Sequence, residues 1–454
     1  MESVQSKASQ SVTFDISVRS KPGGQSFLFD SVPGDKSVSQ RGIILNAIGE
    51  GRGVVHNVLR SRDIESCVAI LGQLGVECIW DGDDLAVSGR GLRGLKPPEF
   101  ELDIGNTATS ARLLLSVLAG HPFRVELAGN RLLSTRPMEW VVDPLIRMGA
   151  RIDYLGNPGR LPLTIEGRAP LLPLDVEATV ASAQEKSAML FAALYAEGTS
   201  HYRQLCQSRD HTERLLRYFG IAIKTEENVT SIQGTSSFAC LDVWVPGDIS
   251  SAAFMLAAYV IRNDEQRGEL AIRNVGVNPT RLGFFRALRA MGLELELSGE
   301  HDLPSGEPQA DLHCSPRSSL KSVLVEGDEE VQSLIDEIPL LAAICALAEG
   351  TSVIRNCREL KDKDTNRIET TARMLAAFGI QVDYNEDEMV IHGEQRPSAA
   401  VVDSCGDHRI AMTAAVLASS LDEPSIIKNC GCIAVSYPNF LADLAQFAEI
   451  ELLD

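Results

Sequence analysis

The residue types best suited to hold a phosphate stand together at one turn of this chain. The tetrapeptide Val-Pro-Gly-Asp occurs at Val32–Asp35 and again at Val245–Asp248, each time ahead of small polar residues and a long apolar run. Pro-Gly reads as a turn, and Asp or Ser just before an apolar-periodic segment reads as a helix N-cap. A helix start presents unpaired N–H groups and the positive end of its dipole, so each copy is a candidate anion seat. The first copy adds Lys36, Ser37 and Arg41, an ammonium, a hydroxyl and a guanidinium suited to charge-assisted hydrogen bonds with phosphate. The second copy, followed by ISSAAF, carries no cation and reads as structural.

Two patterns alternate along the chain and must position these groups. The first is a polar helix start leading into an apolar helix: DKSVSQRGIILNAIGEG, GNTATSARLLLSVLAG, ASAQEKSAMLFAALYAEG, DISSAAFMLAAYVI, IDEIPLLAAICALAEG and GDHRIAMTAAVLAS. The second is a helix ending in Gly, then a strand, a turn and another strand, with clear copies over 69–89, 145–167, 215–234, 287–299 and 374–393. FAEIELL at the C-terminus reads as a truncated sixth copy. Six units of about 70 residues fit a repeat architecture better than a doubly wound sheet. Three units precede Val245 and three follow it, which makes the second Val-Pro-Gly-Asp a domain crossover. Helices of the first kind are apolar nearly all round, so burial is expected. Their polar starts, gathered at one end, would converge several dipoles on one place.

At 454 residues the chain is too long for one ordinary core, and two domains are expected. An apolar fraction of 44% with 23% charged residues describes a soluble globular protein. No stretch approaches the roughly 18 apolar residues of a membrane span. The leader MESVQSKASQSVTFDISVRS lacks an apolar signal core and reads as frayed. A formal charge of −20 argues against nucleic acid or an anionic membrane as partner; an anionic substrate would require cations gathered locally. The ten cysteines show no paired CxxC spacing, which suits a reducing cytosol. Cys430-Gly-Cys432 has no His or Cys partner nearby, and the eight histidines form no metal-ligand array; no metal is expected.

The motifs VPGDKSVSQR, GNTATSAR, LSTRPM, ASAQEKSA, SRDHTE, VPGDISSAAF, NPTR, IDEIP, KDKDTNR and DHRIAM stand in the order and at about the spacing of the enolpyruvyl-transferase family, which the chain resembles from about residue 30 to about 440. The resemblance implies an α/β fold of two domains, each of three βαβαββ repeats with buried helices in pseudo-threefold arrangement, closing over a cleft. It places one domain at 34–246 and a discontinuous one at 1–33 plus 247–454, with a hinge at Pro33-Gly34 and Pro246-Gly247. It implies transfer of the enolpyruvyl group of phosphoenolpyruvate to the 5-hydroxyl of shikimate 3-phosphate, with release of phosphate. A cytoplasmic monomer without cofactor is expected, with these two small molecules as its partners.

Residue by residue, the resemblance assigns Lys36, Ser37, Arg41, Ser182, Gln184, Ser208, Arg209, Asp336 and Lys363 to shikimate 3-phosphate. It assigns Lys36, Asn106, Ala108, Arg112, Arg136, Gln184, Lys363, Arg367, His408 and Arg409 to phosphoenolpyruvate. The chemistry needs a proton delivered to the methylene carbon and one removed from the attacking hydroxyl, and carboxylates suit the cationic centre between these steps. Asp336 matches the base or hydroxyl orienter, Asp364 the proton relay at the methylene carbon, and Lys36 the group that polarises developing charge.

Some positions depart from the family pattern. Asp364 stands where Glu is usual, retracting the carboxylate by one methylene, and Asn366 stands where Asp is usual. Glu185 and Gln40 are uncommon in their motifs, and Val435 stands where some members carry Lys. The Asp364, Glu185 and Gln40 departures leave open a paralogous transferase acting on another hydroxyl acceptor. A catalytically dead binding protein is a further alternative, separated by turnover. The loop with an active-site Cys that marks the UDP-N-acetylglucosamine enzymes of the family is absent. Ala108 occupies a position that is Gly in members sensitive to the herbicide glyphosate, so weak inhibition is expected.

Overall fold

The computed structural model describes residues 13–21, 26–262, 268–316 and 319–453; most of the leader lies outside them. Local signals form six central helices: α1 (Lys36–Ile48), α2 (Ala108–Leu118), α3 (Ala183–Ala193), α4 (Ile249–Val260), α5 (Ile338–Leu347) and α6 (His408–Ala418). Five begin at a side-chain cap. Asp35 accepts from the Val38 amide, Thr107 from Ser110, Ser182 from Gln184, Asp248 from Ser250 and Asp407 from Arg409, which satisfies donors that a helix start leaves unpaired. Every residue of α4 and α6 is buried, so these helices are core on all sides.

Among the described residues, six four-stranded sheets accompany the helices, all with one topology. In the sheet that follows α1, Glu50–His56 runs parallel to Val243–Trp244 and antiparallel to Asp84–Arg90, which pairs with Glu77–Asp81. FAEIELL does not close a truncated copy. Its strand Ala448–Leu453 pairs with Asp15–Ser20 from the start of the chain, which also pairs with Ser425–Lys428, so the sixth sheet is complete.

The chain divides into two compact units, Gly34–Pro246 with Asp302–Glu307, and Met1–Pro33, Gly247–His301 and Pro308–Asp454. Two of the boundaries fall at the Val-Pro-Gly-Asp turns. A Cβ on Gly34 would lie 1.9 Å from the Asn57 carbonyl oxygen, and one on Gly247 2.5 Å from that of Asn274; only glycine fits such backbone approach. Asp302–Glu307 belongs with the unit otherwise built from 34–246, not with its chain neighbours as the repeat pattern implies. The Ser305 hydroxyl donates to the Trp244 carbonyl at 2.6 Å, Arg214 Nη1 to the Gly306 carbonyl at 2.9 Å, and His211 Nδ1 lies 2.9 Å from Glu307 Oε1. Each unit has its own apolar core, around α1–α3 in one and α4–α6 in the other.

Candidate functional site

In the unit built on 34–246, the starts of α1, α2 and α3 are joined by buried polar side chains. Gln40 Nε2 donates to Thr107 Oγ1 at 3.1 Å and Ser110 Oγ at 3.0 Å, tying α1 to the cap of α2. Gln184 accepts from Arg112 Nη1 and donates to Thr109 Oγ1 at 3.1 Å, tying α3 to α2. Arg112 also donates from Nη2 to the Pro137 carbonyl at 2.9 Å, beside Arg136, and stacks 4.1 Å from the Trp140 ring centre. Asn106 and Ala108 flank the Thr107 cap. Lys36, the first residue of α1, reaches Asp63 Oδ2 at 3.1 Å, and Ser37 follows it.

Arg41 is buried and donates to Thr212 Oγ1 at 2.7 Å, the Ser37 carbonyl at 2.9 Å and Ser187 Oγ at 2.7 Å. Burial pulls its pKa down to about 10; Asp35 opposes the shift, and the neighbouring Arg209 adds to it. Two guanidiniums that repel each other in this way favour an anion nearby. Ser208 donates to Gln204 Oε1 at 3.3 Å, and Ser182 caps α3.

Glu185, one residue beyond Gln184, faces the core instead. It is 1% exposed, and its Oε2 has no hydrogen-bond partner. Burial pushes its carboxyl up to about 7, against the pull of the Tyr202 hydroxyl and the Thr179 and Val180 amides. Between the ordinary value of 4.5 and about 7 the folded chain keeps a proton that the unfolded chain has lost. Stability from this group is therefore full below about 4.5 and lost as pH rises through about 7. Glu185→Gln should raise the melting temperature at pH 8, by roughly 2–3 kcal/mol of stability, and leave it unchanged at pH 4. Equal melting of variant and wild type at pH 8 would refute an unpaired buried charge.

In the other unit, carboxylates converge on one guanidinium. Arg367 donates to Asp407 from Nε (2.9 Å) and Nη2 (3.3 Å) and to Asp336 from Nη1 (3.1 Å), with Asp364 Oδ2 3.6 Å from Nη2. Burial works against its charge, but Asp407, Asp364 and Asp336 outweigh it and hold its pKa above the ordinary value. His408 Nδ1 lies 3.1 Å from Asp364 Oδ2. The shorter Asp364 thus still finds both a cation and an imidazole. Asn366 caps the helix Arg367–Ala377, a position where Asn serves as well as Asp. Lys363 pairs with Glu359, and Arg409 lies over the Phe254 ring, its Nη1 3.6 Å from Glu337 Oε1. Asp364, Asp407 and His408 place ligand-type atoms within 4.8 Å of one another, but Arg367 already supplies the positive charge among them.

The sequence-predicted residues therefore form two sets. Lys36, Ser37, Arg41, Asn106, Ala108, Arg112, Arg136, Ser182, Gln184, Ser208 and Arg209 stand on one unit, and Asp336, Lys363, Asp364, Arg367, His408 and Arg409 on the other. Asp63, Ser187, Thr212 and Asp407 hold these groups and were not singled out from the sequence. Ser187, Thr212 and Asp407 lie within the motifs ASAQEKSA, SRDHTE and DHRIAM, while Asp63 carried no signal. The second Val-Pro-Gly-Asp also gains a cation: Arg281, from NPTR, lies 3.6 Å from Asp248.

Residues 31–444 match the family model described as EPSP synthase (3-phosphoshikimate 1-carboxyvinyltransferase). The 3-phosphoshikimate 1-carboxyvinyltransferase of Bacillus licheniformis is 42% identical over 419 residues, 92% of this chain and 96% of that protein. That of Geobacter sulfurreducens is 43% identical over 418 residues, with the same shares covered. The EPSP synthase structure from Acinetobacter baumannii superposes with a TM-score of 0.84 at 34% identity, covering 97% of this chain and all of the other. Among the described residues no helix is long and apolar enough to cross a membrane.

Proposed function

This chain belongs to the EPSP synthase family, and from that premise we propose that it transfers the carboxyvinyl group of phosphoenolpyruvate to the 5-hydroxyl of shikimate 3-phosphate, releasing phosphate. The observation that carries the chemistry is the Arg367 cluster, which holds Asp336 and Asp364 at 3.1 and 3.6 Å. The named relatives give no support to a different acceptor.

The residue roles are those that the family resemblance implies. Lys36, Ser37, Arg41, Ser182, Gln184, Ser208 and Arg209 bind the ring and phosphate of shikimate 3-phosphate, with Asp336 and Lys363 contributing. The repulsion between Arg41 and Arg209 supports a phosphate there. Lys36, Asn106, Ala108, Arg112, Arg136, Gln184, Arg367, His408 and Arg409 serve phosphoenolpyruvate. Asp336 takes the proton of the attacking hydroxyl or orients it. Asp364, set between Arg367 and His408, relays the proton at the methylene carbon. Lys36 stabilises the charge that develops on the departing phosphate. The enzyme acts as a monomer without a cofactor. Incubating the purified chain with both substrates should release one phosphate per enolpyruvyl group transferred; a folded protein that releases none refutes the reading.

Ala108 opens α2 and is 4% exposed. Its methyl group leaves less room beside phosphoenolpyruvate for a bulkier competitor, so glyphosate should inhibit weakly and Ala108→Gly should inhibit at least about tenfold more easily, a difference of about 1.4 kcal/mol. Strong inhibition of the wild type at low micromolar glyphosate would overturn this.

A further inference from the structure

Glu337 stands immediately before α5, yet its side chain does not cap that helix. It enters a buried polar chain instead. The Ser250 hydroxyl donates to Glu337 Oε1 and accepts from Arg281 Nη2 at 2.7 Å. Arg281 Nη2 lies 3.6 Å from Asp248 Oδ1, and Glu337 Oε1 lies 3.6 Å from Arg409 Nη1. All five residues are at most 6% exposed. Two carboxylates and two guanidiniums balance, with one hydroxyl between them. Buried charges are costly unless paired, so each member restricts where the next can stand.

The anchor of this chain is the second Val-Pro-Gly-Asp turn. Asp248 caps α4 as Asp35 caps α1, and Ser250 and Ser37 each stand two residues beyond the capping Asp. The two copies invert one pairing. At the first, Lys36 on the helix meets Asp63 from the next segment; at the second, Asp248 meets Arg281 from the next segment. The carboxylate that meets the Ser250 hydroxyl at the second helix start is the protein's own Glu337.

We propose that Glu337 is a positioning residue: anchored through Ser250 and Arg281 to the second Val-Pro-Gly-Asp turn, it fixes the Arg409 guanidinium that receives phosphoenolpyruvate. This rests on the assignment of Arg409 given above. Glu337→Gln removes the charge that faces Arg409 at 3.6 Å and should raise KM for phosphoenolpyruvate about tenfold or more, the scale of losing one partner of a buried charge pair. KM for shikimate 3-phosphate should change less than about twofold, because no member of the chain is assigned to it. Ser250→Ala, which frees Glu337 without altering charge, should raise KM for phosphoenolpyruvate about three- to fivefold. In an Arg409→Lys background, Glu337→Gln should cost less than about a further twofold, since residues that act through one another are not additive. Steady-state kinetics on the full chain, with each substrate varied in turn, measures all of these. Ser250→Ala decides the matter if Glu337→Gln does not fold. Unmoved KM for phosphoenolpyruvate in an otherwise active enzyme, or full multiplicative costs in the Arg409→Lys background, overturns the positioning role alone. A wild-type chain inactive on the substrate pair overturns it together with the proposed function.

Discussion

Asp336→Asn should abolish turnover and leave both substrates bound. Asn keeps an oxygen where Asp336 Oδ1 receives Arg367 Nη1 at 3.1 Å, so the local geometry has no reason to collapse. What is lost is the capacity to take a proton from the attacking hydroxyl, a contribution of roughly 10²–10⁴ in rate for a positioned general base. The Asp336 side chain is 20% exposed, so its carboxylate is open to an approaching hydroxyl. Rapid-quench measurement of turnover should show the rate loss, and calorimetry should show dissociation constants within a few-fold of wild type. Activity within about tenfold of wild type would remove Asp336 from the chemistry.

Arg367→Met should cost both stability and activity. Asp407 is fully buried and takes two bonds from the guanidinium, while Asp336 and Asp364 share the same cation. Methionine fills much of the space but leaves three carboxylates around an apolar tip. Removing one partner of a buried ion pair costs about 3–5 kcal/mol, and thermal unfolding should show that loss. The deficit should shrink on acidification, because protonating the stranded carboxylates removes the uncompensated charge. Arg367→Lys restores charge without the two-pronged fork and should recover only part of the loss. An unchanged melting temperature in Arg367→Met would mean that the cluster is far more solvated than its burial implies.

What could be read from the chain itself was local. Asp35, Thr107, Ser182, Asp248 and Asp407 are neighbours in sequence of the amides they cap, so helix starts, and the candidate residues placed on them, were visible as short patterns. Five of the six units were visible because they repeat one helix-Gly-strand rhythm. Contacts between distant segments left no such trace. Asp15–Ser20 completes a sheet with strands more than 400 residues away, and an alternating strand does not name its partner. Arg281 reaches Asp248 across an intervening helix and strand, so the second Val-Pro-Gly-Asp looked devoid of cations when only its own neighbours were considered. Asp63 reads as an ordinary acid near a helix start until Lys36 is seen against it.

The six residues Asp302–Glu307 bear on how much of this molecule is autonomous. They supply the Gly306 carbonyl that accepts from Arg214, the Glu307 carboxylate beside His211 and the Ser305 hydroxyl that satisfies the Trp244 carbonyl. A contiguous fragment ending at Pro246 would carry α1, α2 and α3 and every group at their starts, yet would lack those buried partners. His211 and Arg214 lie close in sequence to Ser208, Arg209 and Thr212, so the vacancy would open beside the groups that hold Arg41. The minimal piece that can reproduce this half of the chemistry is therefore a segment plus a hexapeptide borrowed from elsewhere in the chain, and excising it by sequence boundaries alone would remove part of its own interior.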